Sequence, residues 1–378
     1  MRDNRLDKKW LIFVALMLIA QVLFAPLAYA ANWPMFGHDP QHTGVADESM
    51  EPPLKLLWSY ETGDGISSSP AVAGGTVYVG SWDTYVYALN ATSGKEIWKY
   101  KTEGRIESSP AVSEGTVYIG SNDDYTYALD AVTGEEKWKY KTCGSVNSPT
   151  VSGGIVYVSS YNASLSSPFS GGVYALDAIT GVEIWKYETD NYIFCSPAVL
   201  GDIVYIGSTY SMYALDALTG KERWKYETGD MGSFSSIAIA DGRVFFGSYD
   251  NKLYCLDKNS GTFIWSYKTG GGVGSSPAIA DGKVFFGTSS FDNKIYCLDE
   301  DNGNLIWSYE TEGFVLSSPA VADGKLFVGS RDNKIYCLDA HNGNLIWSYK
   351  AEYCVDSSPA IADGKVSVSY THLTLPTN

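Results

Sequence analysis

The chain has 378 residues, 45% hydrophobic and 19% charged, enough for a large core. With 43 acidic against 27 basic residues, its formal net charge is −16; such a surface repels phosphate backbones, so no nucleic-acid partner is expected. The 38 Gly, 28 Tyr and 11 Trp favour sheet over helix.

Residues 1–30 read as a signal peptide. Arg2, Arg5, Lys8 and Lys9 precede an apolar run from Trp10 to Leu27, and Ala28-Tyr29-Ala30 supplies a small-x-small cleavage pattern. Gln21 and Pro26 interrupt the run, which argues for cleavage over a retained anchor helix. No transmembrane domain is then expected in the mature protein, and no Cys lies near the cleavage site to carry a lipid. Removing residues 1–30 takes away four Lys/Arg and two Asp/Glu, leaving 23 basic and 41 acidic residues and a net charge of −18. The body is expected to be exported, to a periplasmic, cell-surface or extracellular place.

Residues 31–53 form a lead-in that contains "NWPMFGHDPQHTG" at 32–44. His38 and His42 lie four apart beside Asp39, residue types that bind metals. Gly37 and Pro40 disfavour a helix that would present both rings together, so packing against the body is the expectation.

From residue 54 the chain is periodic. ALNATSGKEIW (88–98), ALDAVTGEEKW (128–138), ALDAITGVEIW (175–185), ALDALTGKERW (214–224), CLDKNSGTFIW (255–265), CLDEDNGNLIW (297–307) and CLDAHNGNLIW (337–347) are copies of one segment. Counted from Trp58, the closing tryptophans are spaced 40, 40, 47, 39, 41, 42 and 40 residues apart. A period near 40 marks a repeat array. Each unit carries four short strand signals, as in "SSPAVADG", "KLFVGS", "KIYCLD" and "NLIWSY", separated by turn residues. Four-stranded units set around an axis make a β-propeller, which leaves only short strand edges exposed.

Within the motif, Asp can accept backbone N–H groups and Gly can take positive φ, which makes Asp-x-x-Thr/Ser/Asn-Gly a turn. The first position is Ala or Cys in every copy, as flat packing of a large ring requires. A-x-D-x-x-T-G-x-x-x-W resembles the tryptophan-docking motif of the quinoprotein-like (PQQ-repeat) propellers, and the resemblance covers nearly the whole mature chain. It implies an all-β, eight-bladed β-propeller of four-stranded antiparallel blades over residues 54–366, preceded by a lead-in. It implies structural docking roles for Trp98, Trp138, Trp185, Trp224, Trp265, Trp307 and Trp347. "LKLLWSYETG" (54–63) is an outermost strand without inner ones, and 357–366 are inner strands without an outer one. The last blade is therefore read as shared by both chain ends and truncated.

The family includes calcium- and quinone-dependent dehydrogenases and cofactor-free binding proteins, among which the BamB-type outer-membrane assembly factor is the nearest analogue. The dehydrogenases resemble one another in an axial quinone held with calcium, and many carry a disulfide between adjacent cysteines. This chain has six cysteines and no adjacent pair. Cys255, Cys297 and Cys337 sit at the first motif position, where other copies have Ala, and read as small buried fillers. Cys143, Cys195 and Cys354 lie in three different connections between units; all six are expected to be free thiols.

The residues before each "SSP" vary most between copies. The nearer positions hold Ser67, Glu107, Val146, Phe194, Phe234, Gly274, Leu316 and Asp356; two residues earlier stand Gly65, Arg105, Gly144, Tyr192, Gly232, Gly272, Phe314 and Cys354. Alternation places these pairs near the mouth of the axial channel. Arg105, Glu107, Tyr192, Phe194, Phe234 and Phe314 are the candidate ligand or partner surface, with Arg105 expected to pair with Glu107. No catalytic, cofactor-binding or metal residue is assigned.

Trp82 is the only Trp at a turn between second and third strands, where Asp83, Asp123, Asp250, Asp292 and Asp332 recur as turn formers. Asn90 and Asn162 begin glycosylation sequons, and "SSYNASLSSPFSGG" (159–172) reads as a protruding loop. After Lys365-Val366 the repeat pattern stops. Val368 to Thr377 can be encoded by a DNA string matching the transposase adapter of sequencing libraries, so residues 367–378 are read as an artefact; residues 371–378 should lie outside the regular sheets, and the eighth blade should lack its third strand.

The sequence therefore predicts an exported, non-catalytic, monomeric propeller that binds protein or a cell-envelope polymer through its loop face and needs no cofactor. The alternative is a PQQ- and calcium-dependent quinoprotein dehydrogenase.

Overall fold

In the computed structural model, the described residues are 32–162, 171–189, 191–228, 235–289 and 291–370, with the backbone of 373–377. The signal segment, Phe234 and most of the loop at 159–172 lie outside them.

Each repeat forms one antiparallel sheet whose strands follow chain order from the axis outward. Blade 1 consists of Ala71–Ala73, Thr76–Gly80, Tyr85–Asn90 and Glu96–Lys101. Blade 2 runs from Ala111–Ser113 to Glu136–Lys141, blade 3 from Thr150–Ser152 to Glu183–Thr189, blade 4 from Ala198–Leu200 to Glu222–Glu227. Blades 5, 6 and 7 start at Ala238–Ala240, Ala278–Ala280 and Ala320–Ala322 and end at Phe263–Lys268, Leu305–Glu310 and Leu345–Lys350. These seven blades are complete. The eighth sheet has three strands, Ala360–Ala362, Lys365–Tyr370 and Leu373–Thr377.

The tail is a correction to the sequence reading. Leu373–Thr377 does not lie outside the sheets but pairs antiparallel with Lys365–Tyr370, from Tyr370↔Leu373 to Val366↔Thr377. Open backbone donors and acceptors on Lys365–Tyr370 favour any extended segment that reaches them. An outermost strand at 54–60 is not among the named strands; only Leu56 and Tyr60 form bridges there. The chain ends nevertheless share one core, in which Leu54 and Trp58 pack with Val355, Val366, Val368 and Tyr370.

The motif's turn forms as its chemistry requires. In blade 2, Asp130 Oδ1 accepts from the amides of Val132 and Thr133, both at 3.0 Å, and Gly134 takes φ 75°. Third strands such as Tyr125–Asp130 are buried on both faces, because each blade is sandwiched between two others. Outermost strands alternate, with Trp and Tyr inward and Lys or Glu outward.

Seven tryptophans reach the following blade. Trp58 Nε1 donates to the Ala91 carbonyl at 3.1 Å, and the same relation joins Trp98 to Ala131, Trp138 to Ala178, Trp185 to Ala217, Trp224 to Lys258, Trp265 to Glu300 and Trp307 to Ala340. The indole lies on the turn glycine: a Cβ on Gly94 would sit 2.6 Å from the Trp58 ring. Trp347 differs. Its Nε1 donates to no described residue, and its ring stacks on Tyr349 at 6.2 Å.

The lead-in winds around the axis. Carbonyls of Trp33, Pro34, Pro40, Gln41, Thr43 and Gly44 accept from the innermost-strand amides of Val72, Val112, Val199, Ile239, Ile279 and Val321, at 2.6–2.9 Å. Val45–Ala46 then pairs parallel to Ala320–Ala322. Unpaired inner edges around a central channel are thus capped by one segment. The curvature uses positive φ at Gly37, His38, His42 and Gly44. His42 is buried, with Nδ1 3.0 Å from the Ile237 carbonyl and Nε2 3.2 Å from Thr150 Oγ1. His42 therefore packs against the body, as expected, whereas the His38 ring lies edge-on to Trp33 of the lead-in.

Candidate functional site

The second Ser of every "SSP"-type segment turns toward the axis at the start of an innermost strand. There the backbone amide of each such Ser donates to the hydroxyl of the next. Ser69 donates to Ser109 at 2.9 Å, Ser109 to Ser148 at 2.8 Å, Ser196 to Ser236 at 3.1 Å and Ser236 to Ser276 at 2.9 Å. Ser276 donates to Ser318 and Ser318 to Ser358, both at 3.0 Å, and Ser358 returns to Ser69 at 2.9 Å. Among the described residues only the step from Ser148 to Ser196 lacks this bond. There Asn147 replaces the first Ser and donates to Ser159 Oγ and to the Ile193 carbonyl.

The serine ring lines a pit of about 230 Å³. Phe36 of the lead-in lies at its floor, and Glu107, Asn122, Tyr161, Phe194, Leu316 and Asp356 line it higher up. The lead-in that supplies Phe36 is also bonded to the inner strands of six blades.

The predicted surface residues are only partly gathered. Glu107 and Phe194 line the pit. Phe194 packs on Tyr161 at 4.8 Å and on Tyr192 at 5.5 Å, with Tyr161 to Tyr192 at 6.2 Å, a trio that joins blades 3 and 4. Burial, aided by the Glu107 carboxylate, pushes the Tyr161 phenol up from its ordinary value. Arg105 does not pair with Glu107. Its guanidinium lies 5.4 Å over the Trp82 ring, whose Nε1 donates to Ser67 Oγ at 3.0 Å. The two residues sit in a connection outside the strands, so alternation does not hold them on one face. Phe314 stands apart, under Arg331 at 6.0 Å; Arg331 in turn holds Asp356 bidentately at 2.9 Å.

One register assignment changes. Val146 is not a variable rim residue but a buried one: a Cβ on Gly120 would meet it at 2.6 Å, as one on Gly80 would meet Ile106. Burying the Val side chain outweighs its count from the proline. Tyr161, Asn122 and the serine ring went unnoticed in the sequence, although the ring serine recurs in all eight copies.

The turn aspartates fix the rim. Asp123 accepts from the Glu103 amide, the Tyr125 amide and the Tyr127 hydroxyl; Asp332 does so from Glu312, Lys334 and Tyr336. All six cysteines are free. Cys255, Cys297 and Cys337 are fully buried, directly across the ladder from Trp265, Trp307 and Trp347. Cys195 takes the place of the first Ser: its Sγ accepts from the Gly207 amide at 3.1 Å, as Ser108 Oγ does from Gly120 at 2.9 Å.

A calcium-bound quinone does not fit this donor set. Such a quinone is a polyanion, yet among the described residues no Lys or Arg lines the pit. Calcium takes 6–8 oxygen ligands, usually with several carboxylates; here Asp356 is engaged by Arg331, which leaves Glu107. No described group of three or more His, Cys, Asp or Glu has a metal-binding arrangement. No described helix is long and apolar enough to cross a membrane.

Many solved structures share the fold, among them the following three. BamB from Moraxella catarrhalis is 18% identical with a TM-score of 0.72, covering 86% of this chain and 100% of that one. Quinohemoprotein alcohol dehydrogenase from Comamonas testosteroni is 17% identical at a TM-score of 0.80, covering 94% and 82%. A europium-containing methanol dehydrogenase is 16% identical at 0.77, covering 91% and 90%. No curated protein matches the chain. The family model described as outer membrane protein assembly factor BamB matches residues 55–188, 144–238, 213–317 and 288–375. With the repeat motif, the blades and this match in agreement, the chain belongs to the BamB-like PQQ-repeat propeller family.

Proposed function

We propose that this chain is an exported, non-catalytic binding propeller that takes a protein or cell-envelope polymer on the face where the pit opens, as an assembly or attachment scaffold. The observation that carries the reading is the lining of the pit. The lead-in lies along the inner strands, while Glu107, Tyr161 and Phe194 line the pit, with Tyr192 packed against Tyr161 and Phe194. Half-buried aromatic groups beside a concavity are what binding faces concentrate. The family's description as an assembly factor agrees with a scaffold. The poor match between the pit and a metal-bound polyanion weighs against the dehydrogenase reading, which otherwise rests on fold alone.

The test is reconstitution of the full chain with pyrroloquinoline quinone and calcium, beside capture from an envelope fraction. No stoichiometric quinone uptake and no dye-linked alcohol or sugar oxidation are expected. Capture of an envelope component should weaken in Phe194→Ala. Calcium-dependent turnover would overturn the reading.

A further inference from the structure

We propose that the pit is an end-on site for a neutral sugar, the terminal pyranose or N-acetylhexosamine of a glycan. The inference rests on the binding-scaffold reading above and names its ligand class.

Three observations converge. The first is the hydrogen-bonding character of the wall. Seven ring hydroxyls already accept a backbone amide, and none of the eight donates to a described protein acceptor. Each therefore keeps a free proton for a ligand or water. Higher up, the Glu107 carboxylate, the Asn122 side chain and Asn147 Oδ1 make no hydrogen bond to another described residue, although all line the pit. A wall with free donors below and free acceptors above matches a molecule whose every hydroxyl both gives and takes a hydrogen bond.

The second observation is the rim. Tyr161 and Phe194 line the upper wall with rings 4.8 Å apart and inclined at 55°. On blade 1, Trp82 donates to Ser67, which lines the pit. Such rings give apolar faces to the C–H side of a pyranose while its hydroxyls turn to the wall. The third is shape. A pit of about 230 Å³ lined by Phe36 of the lead-in has room for one sugar ring, so a polymer enters by its end.

Charge removes the competitors. A polyanionic glycan meets a chain of net charge −16 and a wall without Lys or Arg among the described residues. A lysine or other ammonium would pair with Glu107 alone, since Asp356 is held by Arg331, and would leave the hydroxyl protons unused.

The experiment is a printed array of neutral, sialylated and sulfated glycans probed with the intact chain, followed by calorimetric titration of the methyl glycoside of the best terminal sugar. Binding should fall on neutral glycans that share one terminal residue, and the methyl glycoside should compete. Glu107→Gln and Tyr161→Ala should each weaken it at least tenfold, while Ile179→Ser, at an exposed turn away from the pit, should leave it unchanged. Both test variants need an unchanged melting profile, and Glu107 is exposed enough to guarantee one informative case. No binding on the array, selection of sulfated or sialylated glycans, failure of the methyl glycoside to compete, or binding unaffected by Glu107→Gln overturns the proposal. Preferential binding of a lysine-rich peptide that is lost in salt also overturns it. If glycans fail but an envelope protein is still captured through Phe194, only this inference falls; quinone turnover would remove both readings.

Discussion

The backbone amide of Ser358 donates to the hydroxyl of Ser69 at 2.9 Å, across 289 residues of chain. This bond closes the serine ring between the last sheet and the first. Ser69→Ala removes its acceptor and should lower the unfolding free energy by about 1–2 kcal/mol, the usual penalty for a polar group left without its partner. Ser196→Ala should cost less, because no amide donates to that hydroxyl. Urea unfolding of both variants checks the ordering, and equal losses would contradict it.

The tryptophans allow a matched comparison. Trp265 Nε1 donates to the Glu300 carbonyl at 3.1 Å, whereas Trp347 has no such acceptor among the described residues. Trp265→Phe should therefore destabilise more than Trp347→Phe, by about 1–3 kcal/mol. Thermal or urea unfolding of the two single variants reads the difference.

The thiols divide by burial. Cys195, Cys255, Cys297 and Cys337 are buried, and burial pushes each thiol up to about 12; Cys143 and Cys354 are partly exposed. A thiol reagent should titrate Cys143 and Cys354 in the native protein and all six in denaturant. Replacing Cys255 by Ala should cost less than about 2 kcal/mol, since Ala already fills this site in four blades. A larger loss would show that the sulfur does more than fill space.

His42 makes stability depend on pH. Burial lowers its imidazole from 6.5 to about 4, although the Asp39 carboxylate opposes the shift. The unfolded chain then binds a proton that the folded one refuses, so this contribution is complete above about 6.5 and declines as the pH falls toward about 4. Its full size is about 3 kcal/mol. His42→Gln should flatten the stability profile in that window and leave the slope above it unchanged. Chemical denaturation at a series of pH values measures both.

Much of the fold was legible because one turn, one glycine and one tryptophan recur at a fixed spacing, and each has a geometric duty that tolerates few substitutes. The site was less legible. The ring serines look like punctuation before a strand, and their role appears only when eight copies meet at the axis. Asn147 and Val146 escaped because the third connection is one residue shorter, so counting back from Pro149 misplaced the buried side chain. Arg105 chose the Trp82 face over Glu107, a preference that depends on a turn two strands away. The tail shows the reverse limit: backbone pairing needs no motif, and Leu373–Thr377 finds a ladder without one.

The lead-in carries a consequence for the order of folding. It is made before any blade, yet its acceptors belong to amides spread from Val72 to Val321. As the chain is synthesised, Trp33 finds its partner early, while Gly44 must wait until blade 7 exists. The segment therefore fastens progressively, like a drawstring threaded before the cloth is sewn, and a chain stopped after blade 4 leaves its second half slack. Protease resistance of residues 33–46 would thus report completion of the circle rather than the stability of any one blade.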